Sequence, residues 1–454
     1  MDMTHRDARL LVPERWLRRS GVPAQRCRLG RAWLIALLMS MSPERLATAD
    51  LADELAAIRG ANYTPSYAST SVGAWVHYDA DVVERELAYA QRLRLNSVRV
   101  FLSAVAYEHD PKAFEKNVAD LVARCHAHQM RPLFVLFDSC FGLEPSLERA
   151  NSETWVNNPG FSRLAKEGRP ALEDYVRAVV QPHRGDARVL GWDIMNEPMA
   201  DFEHVTSAER DVIWEFVRHF CRFVKEIDPQ HPITVGHAVA EYIPRTSDLV
   251  DFVSLHSYSP RESWFRADID LARRLGAERG KPMVITECGS PGFGQPYPLV
   301  IRVAGEERVG FYMWELMIGK IMFRDSQGVI YPDGTTRDPE TVAALLGFFP
   351  NTGGVPLRAV PDHQTLEEQV EQRQRWPELL RQAEAAPRTA AGIAPLVVTL
   401  ATVARAAARP SGDAAECFEL GLSIPHLFRL GKEADAIAAY ERLLQLARTW
   451  MVAE

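Results

Sequence analysis

"RVLGWDIMNEP" (residues 188–198) runs an apolar, strand-like stretch straight into an amide, a carboxylic acid and a proline: Asn196, Glu197 and Pro198. Polar groups at the end of a buried strand cost free energy unless each is paired, so this ending points to chemistry rather than packing. Seven similar runs accompany it: "IRGANY" (58–63), "NSVRVFLS" (96–103), "RPLFVLFD" (131–138), "HPITVGH" (231–237), "DFVSLHSYSP" (251–260), "KPMVITECGSP" (281–291) and "VGFYMWELM" (309–317). Amphipathic helical patterns such as "DADVVERELAYAQRLRL" and "EKNVADLVARCHAHQM" lie between them. Continuous apolar strands separated by helices imply parallel pairing with both sheet faces covered. Eight such repeats over roughly 290 residues predict an α/β chain folded as a (β/α)8 TIM barrel. A doubly wound sheet would carry a Gly-rich turn after its first strand, and "GANYTPSYAS" is not one.

After about residue 350 the pattern changes. "GFFPNTGGVP" is a turn-rich break, and the Ala-rich stretches beyond it predict a C-terminal helical extension over 351–454. Its last part, with "LGK" leading into "DAIAAYERLL", resembles one tetratricopeptide-like helix pair. A single pair cannot bury its own apolar face, so packing on the barrel is expected rather than peptide binding.

The first 50 residues differ again. Recurrent arginines (Arg15, Arg18, Arg19, Arg26, Arg28, Arg31) precede "AWLIALLMSM" and the small residues Ala47 and Ala49. That order of basic, apolar and small residues is the pattern of a secretory signal, and it predicts export with cleavage near Ala49. The apolar run is too short to span a bilayer. The alternative is a cytoplasmic protein whose N-terminal helix packs on the barrel.

A net charge of −8, with no basic block interleaved with aromatics, argues against a nucleic-acid partner. Six scattered cysteines without a CxxC pair argue against a zinc ribbon or a disulfide scaffold. "CHAH", with Cys125, His126 and His128, reads as a polar helix end. No metal or cofactor is expected. The oligomeric state is not legible.

In a TIM barrel the active site lies at the C-terminal ends of the strands. Asn196 and Glu197 end the fourth strand and Glu287 ends the seventh; Arg99 lies on the second, His256 and Tyr258 on the sixth, Trp314 on the eighth. The two glutamates are 90 residues apart in sequence, yet the topology faces them across one barrel mouth. Two such carboxyls are the apparatus of glycoside hydrolysis, one protonated to expel the leaving oxygen and one ionised to attack. Arg99 and Tyr258 are placed to hold a negative charge on Glu287, which leaves Glu197 as the acid.

These residues resemble the (β/α)8 clan of retaining glycoside hydrolases, nearest the cellulase-like family five, over roughly residues 58 to 345. The resemblance implies Glu197 as acid/base in its Asn-Glu-Pro motif and Glu287 as nucleophile. It implies Arg99, Asn196, His256 and Tyr258 as supporting groups and Trp314 as a sugar-stacking floor. It further implies a retaining hydrolase of a β-linked carbohydrate; transglycosylation would use the same residues, and a non-catalytic carbohydrate-binding barrel would have lost one glutamate. One departure stands out: family members often carry a histidine at the end of strand three, where this chain has "FDSCFG". Asp138 in that stretch is therefore a candidate substrate contact. Asn62 and Tyr63 at the end of strand one are further candidates. So are Trp75, Trp155 and Trp264, all read as loop aromatics that could make sugar platforms.

Overall fold

The computed structural model describes residues 51–200, 206–349, 366–408 and 413–451. The N-terminal segment read above as an export signal lies outside the described residues. Eight parallel strands close into a barrel in chain order: β1 (Arg59–Asn62), β2 (Ser97–Phe101), β3 (Arg131–Asp138), β4 (Gly191–Asn196), β5 (Ile233–His237), β6 (Val253–Ser257), β7 (Met283–Cys288) and β8 (Gly310–Met313). Each lies inside the run of sequence that predicted it.

The long helices of the wall are α1 (Ala80–Arg92), α2 (Pro111–Ala127), α3 (Arg169–Val180), α4 (Ser207–Ile227), α5 (Glu262–Ala277) and α6 (Tyr297–Glu307). Their starts have local causes. Asp79 caps α1 by accepting from the N–H groups of Asp81 and Val82, and Thr206 with Glu209 forms a capping box on α4. Val83, Leu87 and Ala90 then share the buried face of α1, at the spacing of a helix that covers a sheet.

The barrel interior is packed in layers. In the lower one, Ser97 Oγ lies 2.7 Å from Tyr312 Oη. A Cβ at Gly60 would come within 2.4 Å of the Tyr312 ring, so only glycine fits there. Above it sits a charged layer built on Arg99.

After β5 the chain makes only a 3-10 turn, Ala240–Arg245, in place of a long wall helix. The C-terminal helices pack against this place. α7 (Leu366–Ala385), α8 (Ala390–Ala408), α9 (Asp413–Arg429) and α10 (Glu433–Met451) share one apolar core that includes Val397, Leu400, Tyr440, Leu443 and Leu444. Tyr242 in the turn donates to Glu419 of α9 at 2.9 Å, and its ring meets Phe418 edge-on. Arg405 of α8 pairs with Glu241 at 2.9 Å and lies over the Phe418 ring, while Arg210 of α4 pairs with Glu419. Ala415 and Phe418 pack against the barrel's own hydrophobic core. No helix among the described residues is long and apolar enough to cross a membrane.

Candidate active site

Alternation along β2 puts Arg99 on the same inward face as Ser97. Asp193 of β4 meets it there. Regular alternation would next point Met195 inward and Asn196 outward. The β4–β5 register instead shifts between Asp193 and Asn196, and a bulge of this kind resets which side chains face in. Asn196 thereby reaches Arg99. Similar shifts occur beside His256 on β6–β7 and between Ile285 and Cys288 on β7–β8. The three irregularities lie where polar side chains must turn into the mouth. Glu197 follows at φ +43°, a left-handed conformation, with its N–H still donating to Gly236 O at 2.7 Å. A non-glycine residue held there costs about 1–3 kcal/mol, a strain that clusters at functional sites.

Arg99 is fully buried and engages four partners on three strands. It lies 2.9 Å from Asp193 and 2.6 Å from Glu287, and it donates to Asn62 Oδ1 at 2.9 Å and Asn196 Oδ1 at 2.8 Å. Asn62 is fixed in turn by donating to Thr286 O, and Asn196 by donating to Asp138 Oδ1, each at 2.9 Å. A Cβ at Gly236 would lie 2.9 Å from both Arg99 Nη2 and His256 Nε2, so glycine there keeps the centre of the barrel open for the guanidinium.

The two glutamates sit in different surroundings. Glu287 Oε1 takes the Arg99 ion pair, and Glu287 Oε2 accepts from Tyr258 at 2.8 Å. Glu197 Oε1 lies 2.6 Å from His256 Nδ1, and its Oε2 accepts from Cys140 Sγ at 2.9 Å. Burial pushes both carboxyls above the ordinary carboxylate range. On Glu287, His256, Arg99 and Tyr258 act against burial and Glu197 adds to it; on Glu197, Cys140 and Arg99 act against it. Burial also pulls His256 down to about 4, so the ring is neutral at neutral pH. Glu197, His256 and Glu287 bring ligand-type atoms within 4.8 Å of one another. A cation could bridge that spacing, but Glu287 is already held by Arg99 and Tyr258. The arrangement suits proton and glycosyl transfer between two unlike carboxyls.

The structure places the other residues singled out from the sequence as follows. Tyr63 is buried and donates to Glu86 of α1 at 2.9 Å. Trp75 lies on a short helix (Ser71–Val76), not in a loop; it stacks on Tyr78, packs on Phe114 and donates to Phe101 O. Both line a cavity that also touches Phe101 and Trp155. Asn62 and Asp138 are buried and spend their polar atoms inside the protein. Asp138 accepts from Asn196, from the Cys140 N–H and from Trp155 Nε1, and burial raises its carboxyl to about 6. Both belong to the scaffold of Arg99 and Asn196. Trp155 and Trp314 are each about 5% exposed and pack with Phe101 in one aromatic cluster against the mouth. Trp264 opens helix α5 and is 38% exposed, with Arg261 over its ring. In "CHAH", Cys125 is buried in the core and His128 bonds Glu84 and Gln91.

Three groups escaped the sequence reading. Asp193, the second anion on Arg99, was visible only as a lone acid inside an apolar strand. Cys140 lay in the departing "FDSCFG" stretch. Glu315 follows Trp314 and is buried beside Thr64; burial holds its carboxyl well above the usual range, with the Glu287 charge adding to this.

The cellulase model of glycosyl hydrolase family 5 matches residues 88–317, just over half of the 454-residue chain. The chain belongs to glycosyl hydrolase family 5. This family 5 member is 22% identical, over 146 residues, to mannan endo-1,4-beta-mannosidase A of Aspergillus aculeatus. That match takes in 26% of the chain and spans 36% of the length of the curated relative. Among solved structures, the family 5 protein GH5_18 from Streptomyces cattleya, in complex with GlcNAc, superposes with a TM-score of 0.50 at 16% identity, covering 84% of this chain and 95% of that one. The exo-beta-1,4-mannosidase Op5Man5 from an Opitutaceae bacterium also gives 0.50, at 17% identity, covering 64% of this chain and 58% of that one. At such identities these two likenesses speak for the fold.

Proposed function

We propose that this family 5 member is a retaining hydrolase of a β-linked glycan, with Glu287 as nucleophile and Glu197 as acid/base. The observation that carries the reading is the contrast between the two glutamates. Arg99 and Tyr258 bond Glu287 directly, whereas the direct partners of Glu197 are the Cys140 thiol and the His256 ring, whose Nδ1 also lies 3.5 Å from Glu287. Reacting groups within 4.8 Å of one another fit the roughly 5–5.5 Å carboxyl separation of retaining enzymes, which is too close to seat a water.

In the first step a Glu287 oxygen attacks the anomeric carbon. The glycosidic bond breaks, and its oxygen takes the proton of Glu197 and leaves. Tyr258 and Arg99 lose part of their hold on Glu287 as its charge passes into the ester. In the second step Glu197, now ionised, takes a proton from water, and the resulting oxygen displaces Glu287. The sugar leaves with its original β configuration. Asp193 keeps Arg99 in place throughout.

The names of the mannan-active relatives make β-mannans the first polysaccharides to assay, followed by a panel of aryl β-glycosides. Hydrolysis followed by NMR should show the β-anomer appearing first. An α-anomer at early times would overturn the retaining mechanism; tight binding without turnover on any β-linked substrate would make the barrel a carbohydrate-binding module. The same reading places the protein outside the cytoplasm, on the signal pattern in residues 1–50. An intact N-terminus in a cytoplasmic fraction of the native host would contradict that part alone.

A further inference from the structure

Cys140 lies two residues beyond β3, nearly enclosed, with its Sγ 2.9 Å from Glu197 Oε2. Its position is built rather than incidental. The Cys140 N–H donates to Asp138 Oδ1 at 3.0 Å, and Asp138 is itself held by Asn196 and Trp155. The other oxygen of Glu197 is taken by His256 Nδ1. The carboxyl is therefore gripped from β3 on one oxygen and from β6 on the other, which stops rotation about its last bond.

We propose that Cys140 is a positioning residue for the acid/base glutamate: its S–H donates to Glu197, aims the carboxyl and sets the pH at which it loses its proton. This rests on the reading of Glu197 as acid/base. Burial, with the charges of Glu197 and Asp138, pushes the thiol well above its usual range, so Cys140 stays protonated and donates. A thiol is a weak donor. It orients Glu197 without clamping the charged form, whereas a cation there would hold the group ionised and useless as an acid. The other charged or titratable groups around Glu197 are Arg99 of β2, Asp138 of β3, His256 and Tyr258 of the β6 end, and Glu287 of β7. A change at Cys140 leaves all of them in place.

The sign follows from the donor. A bond to the ionised form lowers the pKa of a carboxyl, so its loss raises it. The first chemical step needs protonated Glu197, so kcat/KM falls as pH rises through that value. Cys140→Ala should move this basic limb upward by about half a pH unit, and Cys140→Ser, which keeps a donor, should hold the wild-type limb. Carbon-13 NMR of protein labelled at the glutamate carboxyls, with Glu197 assigned through Glu197→Gln, reads the same titration without turnover. Thermal unfolding of each variant shows whether it is folded. The expected result is a Glu197 titration that moves up in the alanine variant and is restored by serine. An unmoved titration in Cys140→Ala, or a serine variant that titrates like alanine, overturns the proposal. If the Glu197 titration moves while the basic limb of kcat/KM stays, the thiol's role stands and Glu197 is not the acid.

Discussion

Arg99 and Glu287 meet in a 2.6 Å ion pair, with the Arg99 side chain fully enclosed by the barrel. The guanidinium is held between two anions, because Asp193 pairs with it from β4 at 2.9 Å. One residue thus does two jobs: it neutralises the barrel centre and stabilises a charge on Glu287.

Arg99→Met should be costly to the fold. It leaves Asp193 buried without a countercharge, and breaking a buried pair from one side costs about 3–5 kcal/mol. Arg99→Lys should recover only part, because an ammonium cannot reproduce the forked contacts to Asp193, Asn62, Asn196 and Glu287. Urea unfolding at neutral pH measures both. A methionine variant as stable as wild type would show that the charged layer is dispensable.

The two glutamates should fail differently. Glu287→Gln should lose at least about 10³-fold in kcat on every substrate, because no covalent intermediate can form. Glu197→Ala should retain its first step on aryl glycosides with good leaving groups, and azide should restore its turnover by attacking the glycosyl-enzyme. Azide rescue of the Glu287 variant instead would exchange the roles.

Stability should fall on acidification through His237. This buried ring donates from Nδ1 to Ser254 O and receives Thr246 on Nε2, and burial pulls it down to about 4. The unfolded chain holds it near 6.5. Between those values the unfolded state binds more protons, so the stability present above pH 6.5 is lost as pH drops, by about 2 kcal/mol at pH 5. Comparing wild type with His237→Gln isolates this from the buried carboxyls. The advantage of wild type over the variant should shrink by that amount between pH 7 and pH 5; an unchanged difference would refute it.

The C-terminal helices should act as a wall rather than as chemistry. Phe418→Ala removes the ring shared by Tyr242 and Arg405 and should cost about 1–3 kcal/mol. Activity of the folded fraction should be unchanged. A variant with normal unfolding and lost substrate binding would give the tail a different role.

All eight strands could be read from the sequence because parallel strands buried on both faces are continuous apolar runs, and a run survives small errors at its ends. The Glu197, Glu287, Arg99, His256 and Tyr258 set was legible because strand ends in this fold converge on one mouth. What the sequence leaves open is the facing of single side chains. Tyr63 and Trp75 sit beside the mouth in sequence but turn toward helices, and Asn196 turns inward only because of a bulge between Asp193 and Asn196 that no local pattern reveals. Asp193 gains meaning only once β2 and β4 are in register, and Cys140 only once the loop after β3 is folded against Glu197.

In the proposed mechanism Glu287 forms the bond to the sugar. A 2-deoxy-2-fluoro β-glycosyl fluoride of the sugar that the enzyme accepts should trap that ester, and peptide mass spectrometry should place a single label on Glu287. A label on Glu197, or time-dependent inactivation with no glycosyl ester on either glutamate, would contradict the account.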